Sequence, residues 1–247
     1  MEVERSALYY IGFRSDILQF LPPGTQRVLS VGCGAGRTEK YLKQGMSLQE
    51  VVGIEINAEM AVGLEKVLDR VFVGDVEAID LPYPPGHFDC ILYPDVLEHL
   101  VDPWAVLNRH RELLADDGVV IISVPNVRYY YTLIWLLIGD WPYSHRGILD
   151  RSHLRFFTLR SLKRMLAETG FELRHVRRKY RLVDTLGDHL LCRVVKKATD
   201  ELSRILSRLR VYDLLFGVQD FLTFQYVQYV VVAGKARHSS RWNADGA

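Results

Sequence analysis

The sequence predicts an α/β fold built from βαβ units, and three observations carry the prediction. Short apolar, β-branched runs alternate along the chain with helix-period patterns. The first run ends in Gly32-Cys33-Gly34-Ala35-Gly36, which opens the next helix. Acidic residues then close the second run (Glu55) and follow the third (Asp75). The glycine loop, Glu55 and Asp75 all fall at carboxyl ends of strands, the edge at which open α/β sheets bind their ligands.

Residues 27–31 (RVLSV) read as the first strand, 38–44 as a short helix and 50–54 (EVVGI) as the second strand. Residues 58–68 read as a helix with Met60, Leu64, Val67 and Leu68 on its apolar face. Three more strands follow at 71–73 (VFV), 88–93 (FDCILY) and 118–124 (GVVIISV). Between the last two, Pro103 takes the first position of a helix capped by Asp102, and Ala115-Asp116-Asp117-Gly118 closes that helix with a turn. The pattern breaks at 127–152, an insertion with an aromatic-rich helical piece (YYYTLIWLLIGDW). Residues 158–169 form a capped helix ended by Gly170, and a strand starts at Phe171. A second insertion, 181–221, is basic; Leu202, Ile205, Leu206 and Leu209 recur at helical spacing among Arg204, Arg208 and Arg210. Residues 224–233 (FQYVQYVVVA) read as a long last strand with no helix after it. The expected organisation is one domain over 1–235, with a disordered tail at 236–247.

Apolar residues make up 49% and charged residues 25%, ordinary for a globular domain. Cys33, Cys90 and Cys192 are far apart and form no CxxC pair, which points to a reducing, cytoplasmic setting. The start MEVERSALYY has no secretory pattern. The most apolar run, 129–138, is shorter than the roughly 20 residues a membrane-spanning helix needs. The net charge of +1 conceals an asymmetry, since residues 174–210 hold eleven Lys/Arg against four Asp/Glu. Such a block is a solvated face, or it meets an anionic membrane surface, a phosphorylated substrate or nucleic acid.

A glycine loop between strand and helix can face an anionic or polar ligand with backbone N–H groups, and a carboxylate about 20 residues on can accept from ribose hydroxyls. The compact spacing Gly32-x-Gly34-x-Gly36 resembles that of the class I S-adenosylmethionine-dependent methyltransferases; the longer spacing of nicotinamide enzymes would need glycine at Arg37. VGIEIN at 52–57, GD at 74–75, FDCILYPDVLEHLVDPWAVL at 88–107, LLADDGVVIISVPN at 113–126 and HLRFFTLRSLKRMLAETGF at 153–171 extend the resemblance. It implies a Rossmann-like, doubly wound seven-stranded sheet whose last strand runs antiparallel, with two lid-like insertions. It further implies S-adenosylmethionine as cofactor. Gly32, Gly34 and Gly36 would let the backbone approach its methionyl part, Glu55 would hold the ribose, Asp75 with Val76 would read the adenine, and Asp95 would border the same site.

Methyl transfer needs alignment of donor and acceptor and, for a hydroxyl acceptor, removal of a proton. The candidates are Glu98, His99 and His153, together with Asp95. Asp95, Glu98 and His99 stand at i, i+3 and i+4, so one helical turn would place all three on one face. Two carboxylates and two imidazoles suit a divalent cation of the zinc, manganese or iron kind. The pattern is similar to that of plant-type small-RNA 2′-O-methyltransferases, and in part to ubiquinone-biosynthesis O-methyltransferases. In the former an acid-x-x-Glu-His turn and a later histidine hold a metal that binds two acceptor hydroxyls, with a longer glutamate where this chain has Asp95. Two metal-free readings stand beside this one: His99 as proton acceptor, or Glu98, His99 and His153 as purely structural groups.

The two insertions are expected to form the lid over the acceptor. Tyr129, Tyr130, Tyr131, Trp135, Trp141 and Tyr143 offer apolar walls, and His145, Arg146, Asp150 and Arg151 offer polar contacts. An aromatic insertion beside a basic amphipathic segment fits a small-molecule, lipid-linked or saccharide acceptor, with contact to an anionic membrane surface. RNA 2′-O-methylation is the rival reading, set back by the lack of a recognisable RNA-binding module. A cofactor-binding interaction module without catalysis is the reading from another class.

Overall fold

The computed structural model describes residues 13–179 and 228–236. A short helix α1 (Ser15–Leu18) precedes β1 (Arg27–Val31), and α2 (Arg37–Lys40) follows the glycine loop. Then come β2 (Glu50–Glu55), α3 (Ala58–Ala61), β3 (Arg70–Val73), β4 (Phe88–Pro94), α4 (Pro103–Leu113) and β5 (Leu114–Pro125). The chain continues through α5 (Tyr130–Leu137), α6 (Leu159–Glu168) and β6 (Phe171–Lys179), and re-enters the sheet as β7 (Gln228–Lys235). The seven strands lie in the order β3-β2-β1-β4-β5-β7-β6. The first five pair in parallel, and β7 runs antiparallel between β5 and β6, as the resemblance implies.

Both sheet faces are covered, and the strand residues alternate accordingly. Leu29, Val31, Ile91, Tyr93, Val120 and Ile122 face a core completed by Leu107 of α4 and by Leu162, Met165 and Leu166 of α6. Their neighbours Val28, Cys90, Leu92, Val119 and Ile121 face the opposite core with Ile17, Leu42, Leu64 and Leu68. The caps expected from sequence are made. Asp102 accepts from Ala105 N at 3.1 Å. Thr158 and Ser161 exchange backbone and side-chain hydrogen bonds in a capping box at the start of α6.

Two elements differ from the sequence expectation. The helix expected at 58–68 breaks after α3, because Val62 is extended (ψ 121°) and Gly63 left-handed (φ 84°); a 3₁₀ turn at Leu64–Lys66 returns Leu64 and Leu68 to the core. The turn expected at 115–118 survives as an irregularity inside β5, where the pairing with β4 jumps from Phe88↔Leu114 to Cys90↔Val119.

The first insertion leaves and returns at one point, since Val127 N donates to Phe157 O at 3.0 Å beside the Asn126↔Phe157 bridge. The basic insertion at 181–221, Cys192, and all of the 236–247 tail but Ala236 lie outside the described residues. No helix among the described residues is long and apolar enough to cross a membrane.

Candidate active site

The glycine loop turns at the carboxyl end of β1 with Gly32 at φ 70° and Gly34 at φ 53°. A Cβ on Gly32 would stand 2.7 Å from Val96 Cγ2, so the loop packs against the β4 edge only without a side chain there. Glu55 at the end of β2 is 3% exposed. Its Oε2 accepts from Gly34 N at 2.7 Å and its Oε1 from Asn57 N at 2.9 Å, which pins the carboxylate between loop and strand. After β3, Asp75 Oδ1 accepts from Glu77 N at 2.8 Å, and Arg109 donates to the carbonyls of Val76 and Glu77. Glu77 in turn accepts from Val101 N (2.9 Å) and Asp102 N (2.6 Å), tying this loop to the one after β4.

These residues wall one cavity of about 500 Å³. Gly32, Gly34, Glu55, Asp75 and Val76 line one part, and Asp95, His99 and Ser152 line its continuation past β4. Gly36 is not on that wall: its φ is 69° and a Cβ would collide with Leu64 Cδ2, so its role is to seat α2 against the core.

Beyond the cavity's β4 edge, a 3₁₀ turn at Leu97–His99 carries two of the expected catalytic groups. The returning end of the first insertion locks onto this turn, with Leu154 N and Arg155 N donating to Glu98 O at 2.8 and 3.0 Å. That places His153 beside Glu98 and His99, and one ligand atom from each of the three lies within 4.8 Å of the others. Glu98 is 1% exposed and His153 9%. His99 Nδ1 lies 3.0 Å from Ser152 O, and His153 Nδ1 lies 3.0 Å from Ile148 O. A carbonyl only accepts, so each Nδ1 carries the proton of its contact. This is how metal-ligating histidines are oriented. Asp150 stands behind the pair, accepting from Ser152 N (2.9 Å) and Ser152 Oγ (2.7 Å). Burial alone would raise its pKa; the Ser152 bonds and the neighbouring imidazoles outweigh that and hold it below the ordinary range.

Asp95 does not join them. Its φ of 57° takes it out of any helical turn with Glu98 and His99, which corrects the one-face expectation. Its carboxylate is taken by Arg14 Nη1 at 2.5 Å, by Ser123 Oγ at 2.8 Å and by Gln228 Nε2. Burial would lower the Arg14 pKa, but Asp95 and Asp16 outweigh it and raise the guanidinium above its ordinary value. The sequence expectation passed over Arg14, Glu39 and Arg109. Glu39 alone had a legible signal, an acid three residues before Leu42 on a helical face that is buried.

A model of the methyltransferase-domain family matches residues 7–176. The chain belongs to the class I S-adenosylmethionine-dependent methyltransferases. This methyltransferase is 29% identical over 158 residues to a ubiquinone biosynthesis O-methyltransferase of Psychrobacter arcticus, covering 59% of each chain. It is 34% identical over 112 residues to a phosphoethanolamine N-methyltransferase of Triticum aestivum, covering 44% of this chain and 22% of that one. The match thus spans less than two thirds of either relative. Among solved structures, a SAM-dependent methyltransferase of Archaeoglobus fulgidus superposes with a TM-score of 0.57 at 22% identity, covering 92% of this methyltransferase and 93% of that chain. At that identity the likeness is one of fold.

Proposed function

We propose that this methyltransferase moves the methyl group of S-adenosylmethionine onto a hydroxyl oxygen of a small-molecule or lipid-linked acceptor, and that the acceptor hydroxyl is activated at Glu98, His99 and His153. The observation that carries this reading is the pair of imidazoles whose Nδ1–H groups are spent on backbone carbonyls beside a buried carboxylate. An amine acceptor brings its own lone pair near neutral pH only after losing its ammonium proton, whereas a hydroxyl needs a base or a Lewis acid to become nucleophilic. Two imidazoles and a carboxylate in one cluster fit either need.

Gly32, Gly34 and the Glu55 carboxylate fit the cofactor: the first two bring backbone to the cavity wall, and Glu55 offers acceptor lone pairs at the strand edge. S-adenosylmethionine supplies a methyl group already activated on a sulfonium. Asp75 and Val76 border the same cavity after β3, a position that suits the purine ring. A divalent cation fits Glu98, His99 and His153, a mixed carboxylate and imidazole donor set that favours zinc, manganese or iron over magnesium. Such an ion would supply Lewis-acid polarisation of the acceptor oxygen. Without an ion, His99 or His153 takes the proton itself. Either way the fold's task is to hold the acceptor in line with the methyl group.

An acceptor with an apolar portion is supported by the outer surface of α5 and the residues after it. Ile134, Leu136, Leu137 and Ile138 are exposed, and Trp141 packs on Phe156, 5.2 Å between ring centroids. Phe156 in turn lies 6.4 Å from His153 between ring centroids, which puts this aromatic pair beside the candidate catalytic cluster. The test is calorimetry with Mn²⁺ or Zn²⁺ on the S-adenosylmethionine complex, repeated with a catechol acceptor. Binding of one ion that His99→Ala and His153→Ala abolish would support the metal form. Catechol methylation that survives both substitutions would overturn the assignment of these residues.

A further inference from the structure

The first insertion presents an apolar helix to solvent. In α5 only Thr132 is buried. Tyr131, Ile134 and Ile138 stand at i, i+3 and i+7 and so share one face, with Leu137 beside them; in chain order the four are 41%, 51%, 86% and 65% exposed. No side chain of α5 belongs to either core formed among the described residues. This inverts the ordinary arrangement, in which a surface helix turns its apolar stripe inward. The helix has eight residues, too few to cross a bilayer, so a lipid-facing role for it is an interfacial one.

The rest of the insertion fixes this face to the catalytic edge and gives it a charge. Asp140 N donates to Trp135 O at 2.9 Å, which ties the end of α5 to Trp141, and Trp141 packs on Phe156. Residues 144–151 close into a loop, Ser144 N donating to Leu149 O at 2.9 Å and Arg151 N to Ser144 O at 3.0 Å. Across 127–156 the exposed charged residues are Asp140, Arg146 and Arg151, while the second acid, Asp150, is buried against Ser152. The exposed balance is positive. Tyr131, Trp141 and Tyr143 add amphipathic rings of the kind that settle at the headgroup level of a membrane. Leu154 and Phe156, 50% and 37% exposed, carry the apolar surface on to the two sides of His153.

An outward apolar face, aromatic rings and exposed arginines on one short arm match the layers of an anionic bilayer, whose acyl region takes the first and whose phosphates take the last. We propose that the first insertion is a membrane-docking arm: Tyr131, Ile134, Leu137 and Ile138 enter the interfacial layer of an anionic bilayer, and Arg146 and Arg151 meet its lipid phosphates. The Trp141–Phe156 contact then brings His153 to the bilayer edge. It follows that the acceptor is taken from the bilayer, its apolar part remaining there while its hydroxyl reaches Glu98, His99 and His153. That consequence rests on the reading of this cluster as the place of acceptor activation; the docking itself does not.

The experiment is co-sedimentation of the full chain, without cofactor or acceptor, with vesicles of phosphatidylcholine alone and of phosphatidylcholine and phosphatidylglycerol in equal amounts. The wild type should bind the mixed vesicles about tenfold more tightly than the neutral ones at low salt, and lose most of that preference as salt shortens the Debye length. Ile134→Ser with Leu137→Ser should weaken binding to both by about tenfold or more. Arg146→Gln with Arg151→Gln should weaken binding to the mixed vesicles by about tenfold and leave neutral binding within about twofold. These side chains are exposed, so melting temperatures should stay at the wild-type value. Leu137→Trp, an apolar exchange at the most exposed position of the arm, should give emission that vesicles with brominated acyl chains quench. No wild-type binding to the mixed vesicles, binding indifferent to the Ile134 and Leu137 substitutions, or unquenched Leu137→Trp emission would overturn the proposal. Self-association that those two substitutions abolish, without vesicle binding, would overturn it as well and assign the face to a second copy of the chain. Each of these failures leaves acceptor activation at Glu98, His99 and His153 to be judged by its own substitutions.

Discussion

Replacing Glu39 by Gln should make the unliganded protein more stable, and more so as the pH rises. The side chain is fully enclosed, and its carboxyl is moved from an ordinary 4.5 to about 7, chiefly by burial. Below about pH 4.5 the carboxyl is protonated in both folded and unfolded chains, so it contributes nothing to the pH dependence. Between about 4.5 and 7 the folded chain keeps the proton that the unfolded chain has lost, and stability falls with rising pH. Above about 7 both forms are ionised and the full penalty stands, on the order of 3 kcal/mol at about 1.4 kcal/mol for each pH unit between the two values. Gln has the same shape, keeps an acceptor for Ser30 and never ionises. Urea denaturation of wild type and Glu39→Gln at pH 5 and pH 8 should show the gap widening by roughly 2.5 kcal/mol, seen as a difference in midpoint at constant slope. Parallel stability curves, or a gap that narrows as the pH rises, would refute the burial of an ionisable carboxylate at this place.

Glu55→Ala should weaken S-adenosylmethionine by tenfold or more in calorimetry, because it removes the proposed ribose acceptor and strands the N–H groups of Gly34 and Asn57. Gly32→Ala should cost both stability and affinity, the left-handed φ of 70° alone costing about 1–2 kcal/mol, with the Cβ clash against Val96 added; a normal melting temperature would contradict this geometry. His110, buried against Tyr93 with its Nδ1 2.8 Å from the phenol oxygen, is pushed down to about 3 by burial and the Arg109 charge. Its ring resonances should therefore not titrate between pH 5 and 8, so the pH profile of turnover in that range belongs to other groups. Arg14→Ala should loosen Asp95 and lower turnover more than cofactor affinity would suggest, an effect that Arg14→Lys only partly rescues because the guanidinium reaches Asp95 and Ser123 through separate nitrogens.

The sheet was legible because β1, β2, β4, β5 and β7 are buried and read as continuous apolar runs, and because Gly32, Glu55 and Asp75 mark three adjacent strand ends. The caps at Asp102 and Thr158 were legible for the same local reason, a side chain bonding to a backbone N–H a few residues on. The helix expected at 58–68 was misread because Leu64 and Leu68 keep helical spacing across the break; a 3₁₀ turn restores the phase that Gly63 interrupts. At the candidate site, the pairing of Glu98 and His99 with His153 follows from the Glu-His sequence and a return of the chain over the same edge. The exclusion of Asp95 does not follow from sequence, since its spacing suits a helical turn and only the left-handed backbone and the distant Arg14, Ser123 and Gln228 remove it. Glu39 bonds to Ser30 nine residues away across the loop, and that contact needs the packed fold to be seen.

Methyl transfer to oxygen is tested by incubating the full chain with S-[methyl-¹³C]adenosylmethionine and two acceptors in competition, a catechol bearing an apolar tail and phosphoethanolamine. Carbon NMR of the products reports the bond formed. Oxygen transfer at this site gives an O-methyl resonance on the catechol that His99→Ala and His153→Ala suppress. An N-methyl resonance alone, or an O-methyl resonance indifferent to both substitutions, would contradict it.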